Sequence, residues 1–474
     1  MARIAAAVGV VTASLATAVA AAGCGKVLVP SYTVPAVNSA WQAQLVAGGL
    51  TKPRSLMFDA SGALLVVESG KGITRHKIVD NGGTCVSISE STVLIGQTSL
   101  NHGLALSKDG KTLYASTVDT VYAWLYDPEK GTTGSVPRAI VSGMANDDLV
   151  TRTLLISGDN LIVSRGSSDP NKDKASILSN GLSQVRMFDL SNVTTASKAY
   201  SFNSEGTVLG WGLRNSVGIG EHPVTGGIFG VENSVDGVTR NGKDIHENNP
   251  GEELNFLGFV NGTGTGNNFG YPHCYAVWDA AEIPDGTGLR VGDQFAQTEN
   301  STLTDETCQA NYTAPRLTLP AHYAPLDIKF SQDGGEAYVS FHGSFDKTDP
   351  VGYSIATIPF DAPSGQPVGS PTDQTAFTEI MTNPDHSKCP TNCFRPVGLV
   401  VDAAGRVWFT SDTTGEIYVL QKAGNQGTAT TSGTIVTATA AASAADPGVT
   451  WRGWGWQSVL VAWAGAILLG IVFV

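Results

Sequence analysis

The residues of this chain best suited to chemistry are few and mostly basic. Arg54, Asn101, His102, Arg152, Arg214, Asn215, His322 and Arg395 each stand just before a short apolar run, and Lys347 follows one. That concentrates cations in equivalent places along a 474-residue chain with 15% charged residues and a net charge of -13. Guanidinium groups gathered in this way suit an anionic ligand, because each can give charge-assisted, bidentate contacts. Arginines also tie neighbouring structural units together, so the set carries more weight than any member. Other chemistries leave no signature: there is no nucleophile elbow, no P-loop and no His-Glu zinc helix. Carboxylates are plentiful, yet no paired acid–base constellation stands out. The acidic balance and the lack of any basic run exclude nucleic acid as a partner.

The elements that position these residues form a repeat. Six times, a short apolar strand leads through a turn rich in Asp, Asn or Gly into a second apolar strand. The copies are 56–58 with 64–67, 104–106 with 113–115, 154–156 with 161–163, 217–219 with 228–229, 328–330 with 337–339, and 399–401 with 407–409. Asp-Gly and its relatives supply the positive φ of a tight hairpin. β-branched and aromatic residues favour sheet, and no helical periodicity appears before the C-terminal tail. Six irregularly spaced hairpins predict an all-β, six-bladed β-propeller over 23–423. In such a fold the ligand lies over the central channel, on the loops between blades, where the basic residues stand. A sandwich or a solenoid competes, although a solenoid calls for more even spacing. The stretch 235–320 is too long for one hairpin and predicts an elaborated blade.

The ends read as addresses. Residues 1–22 have one charge, Arg3, then an Ala/Val run closing on small residues, the layout of a cleaved secretory signal peptide. Residues 424–457 are expected to form a low-complexity stalk and a polar spacer, with the Thr/Ala/Ser/Gly tract at 427–445. An uncharged apolar tail follows at 458–474. Small residues, spacer and apolar tail in that order are a GPI-attachment layout, with Ser443 or a neighbour as the attachment site. A plain membrane span is the competing reading, but it would normally be trailed by Lys or Arg. The expectation is a secreted, cell-surface protein held to the membrane by a lipid anchor. Six cysteines suit an oxidising compartment. Cys389 and Cys393 can close a small loop, Cys274 and Cys308 bracket one insertion, and Cys24 and Cys85 remain, though six cysteines do not fix one connectivity. Glycosylation sequons stand at Asn192, Asn261, Asn300 and Asn311.

Longer ordered motifs then carry a resemblance. Gly210-Trp-Gly-Leu-Arg-Asn-Ser-Val-Gly218, Glu221-His-Pro223, Gly230-Val-Glu-Asn-Ser-Val-Asp236, Asn249-Pro-Gly-Glu-Glu-Leu-Asn255 and Asn268-Phe-Gly-Tyr-Pro-His-Cys274 resemble the glucose/sorbosone dehydrogenase superfamily. Within it the chain is most similar to the fungal pyranose dehydrogenases that use pyrroloquinoline quinone. Leu100-Asn-His-Gly103, Thr151-Arg-Thr-Leu154, Val163-Ser-Arg-Gly166 and His342-Gly-Ser344 extend the match, which runs over about 45–421. The resemblance implies a quinone on the propeller axis, with Arg214, Asn215, Lys347 and Arg395 as cofactor contacts and Arg54 and His322 as weaker ones. It also implies calcium, bound through backbone carbonyls at Ser234 and Val235, and oxidation of a pyranose or other aldose by hydride transfer to the quinone. Electrons would then pass to an external acceptor.

One departure stands out. In that family a histidine acts as base five residues before the leucine of the motif seen here as Thr151-Arg-Thr-Leu154, and the count lands on Leu149. Leucine cannot accept a proton, so His102 or Asp148, beside Asp147, is expected to substitute. A non-catalytic surface propeller binding carbohydrate or protein is the alternative. A calcium-dependent lactone hydrolase is a third reading, but it calls for a carboxylate cage where this ring is basic.

Overall fold

A computed structural model describes residues 24, 26–167, 172–194, 197–424 and 434–437. The signal-peptide segment 1–22, the apolar tail 458–474, Ser443 and most of the stalk lie outside these residues. Inside them, Asp and Gly punctuate the chain at the expected places. Asp59 accepts the backbone N–H groups of Ser61 and Ala63 on one carboxylate oxygen, each at 2.9 Å, and Gly62 follows at φ 80°. Asp402 repeats the device with Ala404 and Arg406, ahead of Gly405 at φ 75°. Such Asx turns reverse the chain within four residues, and each of the six expected strand pairs forms as an antiparallel hairpin.

These pairs are the inner strands of six blades. Blade one runs Pro53–Phe58, Leu64–Glu68, Gly72–Asp80 and Val86–Ile95. Blade two begins at Leu104–Leu106, blade three at Leu154–Ser157, blade four at Ser216–Glu221 and blade five at Pro325–Phe330. The last blade joins Pro396–Val401, Val407–Ser411 and Glu416–Lys422 to Trp41–Ala47 from the other end of the chain. This pairing closes the ring with backbone hydrogen bonds and leaves no free gap between first and last blades. Lys26–Val29 extends the closing sheet, and Thr434–Thr437 of the stalk segment pairs parallel to it. The 235–320 excursion is an elaboration of blade four, as expected. It holds two short hairpins, Thr239–Arg240 with Lys243–Asp244 and Cys274–Ala276 with Gln294–Ala296, and the helix Asp305–Asn311. Three disulfides form, Cys24–Cys85, Cys274–Cys308 and Cys389–Cys393, the pairs suggested by spacing. The asparagines of all four sequons are exposed.

Apolar side chains fill the space between neighbouring blades. Phe58, Leu64 and Val66 of blade one pack with Trp408, Ile417 and Val419 of the closing blade. Phe229 and Leu254 of blade four pack with Ile328, Val339 and Ile358 of blade five. Nearer the axis, hydroxyls replace this packing. Ser116 donates to the carbonyl of Arg152, Ser340 to that of Val397, and Thr410 to that of Arg54, each reaching from one blade to the start of the next. Inner strands come so close there that glycine is required. A Cβ on Gly398 would lie 2.5 Å from the Arg54 carbonyl oxygen, and one on Gly103 would collide with that of Arg152. The Gly103→Ala variant is therefore expected to lose about 1–3 kcal/mol of stability through overpacking, read as a lower denaturation midpoint, whereas Gly62→Ala, with nothing near its Cβ, is limited to the cost of its turn conformation.

Candidate functional site

First strands begin and second strands end on the same rim of the ring, so residues at both places meet there. At the junction of the closing blade with blades one and five, Asp412 is the hub. It follows the second strand Val407–Ser411 and receives Arg54 Nη1 at 2.5 Å on one oxygen. Its other oxygen lies 3.0 Å from Nε2 of His342, which follows the second strand Glu336–Phe341. Arg54 Nε in turn donates to Nδ1 of His102 at 3.3 Å. Burial alone would raise the Asp412 pKa, but His342 and Arg54 outweigh it and hold the carboxyl well below the usual range.

This arrangement sets the two histidines apart. Burial and the charges of Arg54 and Lys329 hold His102 neutral, and its Nδ1 is engaged as an acceptor. The neutral ring then carries its proton on Nε2, so His102 is arranged to donate a proton rather than accept one. His342 is the reverse. Burial and nearby arginines lower its pKa against the pull of Asp412, while Asp412 fixes the proton on Nε2. Nδ1 of His342 is left as an acceptor and has no hydrogen-bond partner among the described residues. Arg395 closes this side by donating to the carbonyls of His342 and Gly343 at 3.0 and 2.9 Å, its guanidinium over the Tyr353 ring.

A second group of residues lies on the blade-four and blade-five side. Arg214 reaches Asp236 at 2.6 Å and the carbonyl of Ser234 at 2.5 Å. Asp236, His322 and Asp346 bring ligand atoms within 4.8 Å of one another, enough to hold a metal ion. His322 Nε2 faces the carbonyl of His246 at 2.5 Å, and its Nδ1 lies 3.1 Å from Asp346. Burial opposes charge on His322, yet Asp346 and its neighbours outweigh burial and raise the pKa. Asp346 Oδ1 is buried and makes no hydrogen bond of acceptable geometry. Lys347 holds the carbonyl of Glu247 and Asn248 Oδ1. Glu252 binds both turns of this group, accepting from Ser234 N at 2.7 Å and Ala324 N at 3.1 Å. Its own carboxyl is pushed up to about 7, chiefly by burial.

The structure thus joins Arg54, His102 and Arg395 in one group and Arg214, Ser234, His322 and Lys347 in another. Asn215 is buried beside Gly166, where an added Cβ would come within 2.5 Å of its Oδ1. One expectation needs correction. Arg152 does not face the rim; it is fully buried and spends its guanidinium on the carbonyls of Met144, Leu149 and Thr151. The Val235 side chain packs into an apolar cluster with Val238 and Tyr271, which concerns its side chain and not the backbone carbonyl expected to meet calcium, and the neighbouring Asp236 joins the metal-capable group. Asp148 sits on the loop before blade three, and its Oδ1 is buried without a hydrogen-bond partner. The ring is also less bare than composition suggests. Arg54, Arg214, Lys347 and His322 have carboxylate neighbours at Asp412, Asp236, Glu247 and Asp346. Among the described residues, Arg395 has none within ion-pair distance.

The fold and this rim define a six-bladed propeller with an arginine- and histidine-bearing group and a metal-capable group on one rim. A family described as TrAA12-like matches residues 35–423, and the chain belongs to that family. A pyrroloquinoline quinone-dependent sugar dehydrogenase of Hypocrea jecorina is 47% identical over 404 residues, 84% of this chain and 91% of that one. The calcium structure of a Trichoderma reesei carbohydrate-active enzyme of family AA12 is similar at TM-score 0.81 and 48% identity, covering 84% of this chain and 99% of that one. The holo form of the pyranose dehydrogenase PQQ domain from Coprinopsis cinerea is similar at TM-score 0.78 and 35% identity, covering 84% of this chain and all of that domain. The chain spans only 55% of the full Coprinopsis cinerea pyranose dehydrogenase.

Asp412→Asn leaves Arg54 and His342 in place without their shared charge. It is expected to cost about 2–3 kcal/mol, less than the ~3–5 kcal/mol of a fully buried pair because the carboxylate is partly exposed. Since the folded pKa is depressed, the wild-type advantage is complete above about pH 4 and is lost as pH falls through the folded value. Denaturation curves of the two proteins should therefore differ most near neutrality and converge in acid.

Proposed function

We propose that this chain is a pyrroloquinoline quinone-dependent dehydrogenase of a pyranose or related aldose, working outside the cell with calcium. The carrying observation is Arg395. A largely buried guanidinium without a carboxylate partner is costly unless an anion arrives, and a quinone with several carboxylates is such an anion. Arg54, Arg214, Asn215 and Lys347 would complete its contacts. The second group fits calcium, which prefers oxygen ligands. Asp236, Asp346 and the Ser234 carbonyl supply them. His322 suits a position beside such an ion better than a place among its ligands. When bound, quinone and calcium supply a two-electron hydride acceptor and a Lewis acid.

The chain itself supplies the proton chemistry. His342 takes the proton of the sugar hydroxyl on Nδ1, and Asp412 steadies the imidazolium through Nε2. This assigns to His342 the role that Leu149 cannot play and that His102, with its Nδ1 already occupied, is poorly arranged to play. Secretion through the 1–22 segment, lipid anchoring through the 458–474 tail and passage of electrons to an external acceptor belong to the same proposal. Its supports are the disulfides and the exposed sequon asparagines.

The test is dye reduction by the purified chain with pyrroloquinoline quinone and calcium across a panel of aldoses. Turnover is expected, with an acid limb below pH ~6.5 because the His342 pKa is lowered. His342→Gln should cut kcat by about 10²–10⁴-fold, with His102→Gln milder. Failure to reduce dye with any aldose contradicts the dehydrogenase, and an unimpaired His342→Gln contradicts the base.

A further inference from the structure

Phe345 is the one aromatic ring that the fold leaves uncovered. Among the described residues it is the only exposed Phe, Tyr or Trp, at 68%, and every other such ring is buried or half-buried. It lies on the rim, on the loop from His342 to Tyr353, between Ser344 and Asp346. The backbone is held on both sides of it. Ser344 N donates to the carbonyl of Val351 at 3.0 Å, the Ser344 hydroxyl accepts from Val351 N at 3.1 Å, and the Tyr353 hydroxyl donates to the Ser344 carbonyl. Beyond the ring, Thr348 donates its hydroxyl to Glu247 at 2.6 Å, and Lys347 donates to the carbonyl of Glu247 and to Asn248. A large apolar surface kept in water on a fixed backbone is an informative exception to burial. A ligand that covers it pays little for ordering the loop. Phe345 is three positions from His342, so their Cα atoms are at most about 11 Å apart, a span that a disaccharide bridges.

We propose that Phe345 is the platform of a second sugar subsite, and that the substrate is the end of an oligosaccharide in preference to a free monosaccharide. This rests on the reading of the site as an aldose dehydrogenase. The pyranose that reacts lies by His342, and the next unit lays its apolar face on the Phe345 ring. Pyranoses with equatorial hydroxyls present such a face of axial C–H groups, and the negative face of an aromatic ring attracts those hydrogens. Thr348 and Asp349 are exposed and Glu247 is partly so, which places hydroxyl and carboxylate groups near the ring to pair with sugar hydroxyls. A protein partner calls for a contiguous apolar patch. The loop neighbours of Phe345 are polar, from Ser344 and Asp346 to Asp349, so a single sugar ring fits the place better. The platform is remote from the reacting atoms. It binds ground state and transition state alike, and its contribution belongs in KM and not in kcat.

The test is dye reduction by the full chain with pyrroloquinoline quinone and calcium, comparing glucose with cellobiose, laminaribiose and maltose. Wild type, Phe345→Ala and Phe345→Trp are measured side by side; the position is exposed, so neither change threatens the fold. At least one disaccharide should show a KM about 10-fold below that of glucose. Phe345→Ala should raise that KM by about 10-fold at unchanged kcat and leave the glucose KM within about 2-fold. Phe345→Trp, which keeps an aromatic face, should restore the wild-type KM. An equal effect on glucose and the disaccharides, or a wild type that favours glucose over all of them, overturns the subsite and leaves the dehydrogenase reading standing. A wild type that oxidises none of these sugars overturns the dehydrogenase reading instead, and calorimetry with cellotetraose, laminaritetraose and maltotetraose then decides the subsite. Binding that Phe345→Ala weakens by about 10-fold supports it; binding that is absent, or equal in the two proteins, overturns it.

Discussion

The rim is organised around the carboxylate of Asp412. It lies where the closing blade meets blade one, and it draws Arg54 from blade one and His342 from blade five onto its two oxygens. A largely buried anion with two such partners must be kept ionised, and its depressed pKa reflects that. The consequences spread outward. Arg54 is turned onto His102, which fixes the tautomer of that ring. His342 is turned so that its second nitrogen is free, and its carbonyl is placed where Arg395 can hold it. Remove the carboxylate, and His342, Arg54 and the blade junction all lose their reference point.

The loop after the second strand of blade five links this centre to the metal-capable one. His342 at its start belongs to the Asp412 group, and Asp346 and Lys347 a few residues on belong to the Asp236 group. Tyr353 closes the loop, packed beside the Cys389–Cys393 disulfide and beneath Arg395. His342, Lys347 and the Asp346 carboxylate of the metal-capable group are thus carried on one short, anchored segment. That proximity is what an oxidation needs when proton and hydride leave the same alcohol.

The architecture was largely legible in the sequence because it repeats. Each Asp-Gly turn between apolar runs became a hairpin, and the six hairpins became the inner strands. The site was legible only in part, for a geometric reason. Reading the residues that precede first strands found Arg54, His102, Arg214, His322 and Arg395. The mirror positions, just past second strands, lie on the same rim and hold His342 and Asp412; the same repeat, extended by one strand, points to them. Side-chain direction carries no such signal. Arg152 occupies an equivalent place in the sequence yet turns into its own loop. Val235 and Asp236 are adjacent, yet the side chain of the first packs into an apolar cluster and that of the second joins the metal-capable group.

The most direct test of the anion site is a calorimetric titration of pyrroloquinoline quinone into the full chain in the presence of calcium, with Arg395→Met beside the wild type. One equivalent should bind the wild type, and the variant should bind about 10–100-fold more weakly, the worth of charge-assisted hydrogen bonds lost from one guanidinium. Equal affinity in the two proteins would show that the unpaired Arg395 is not the cofactor's anchor. No binding to the wild type would remove the quinone from the site altogether.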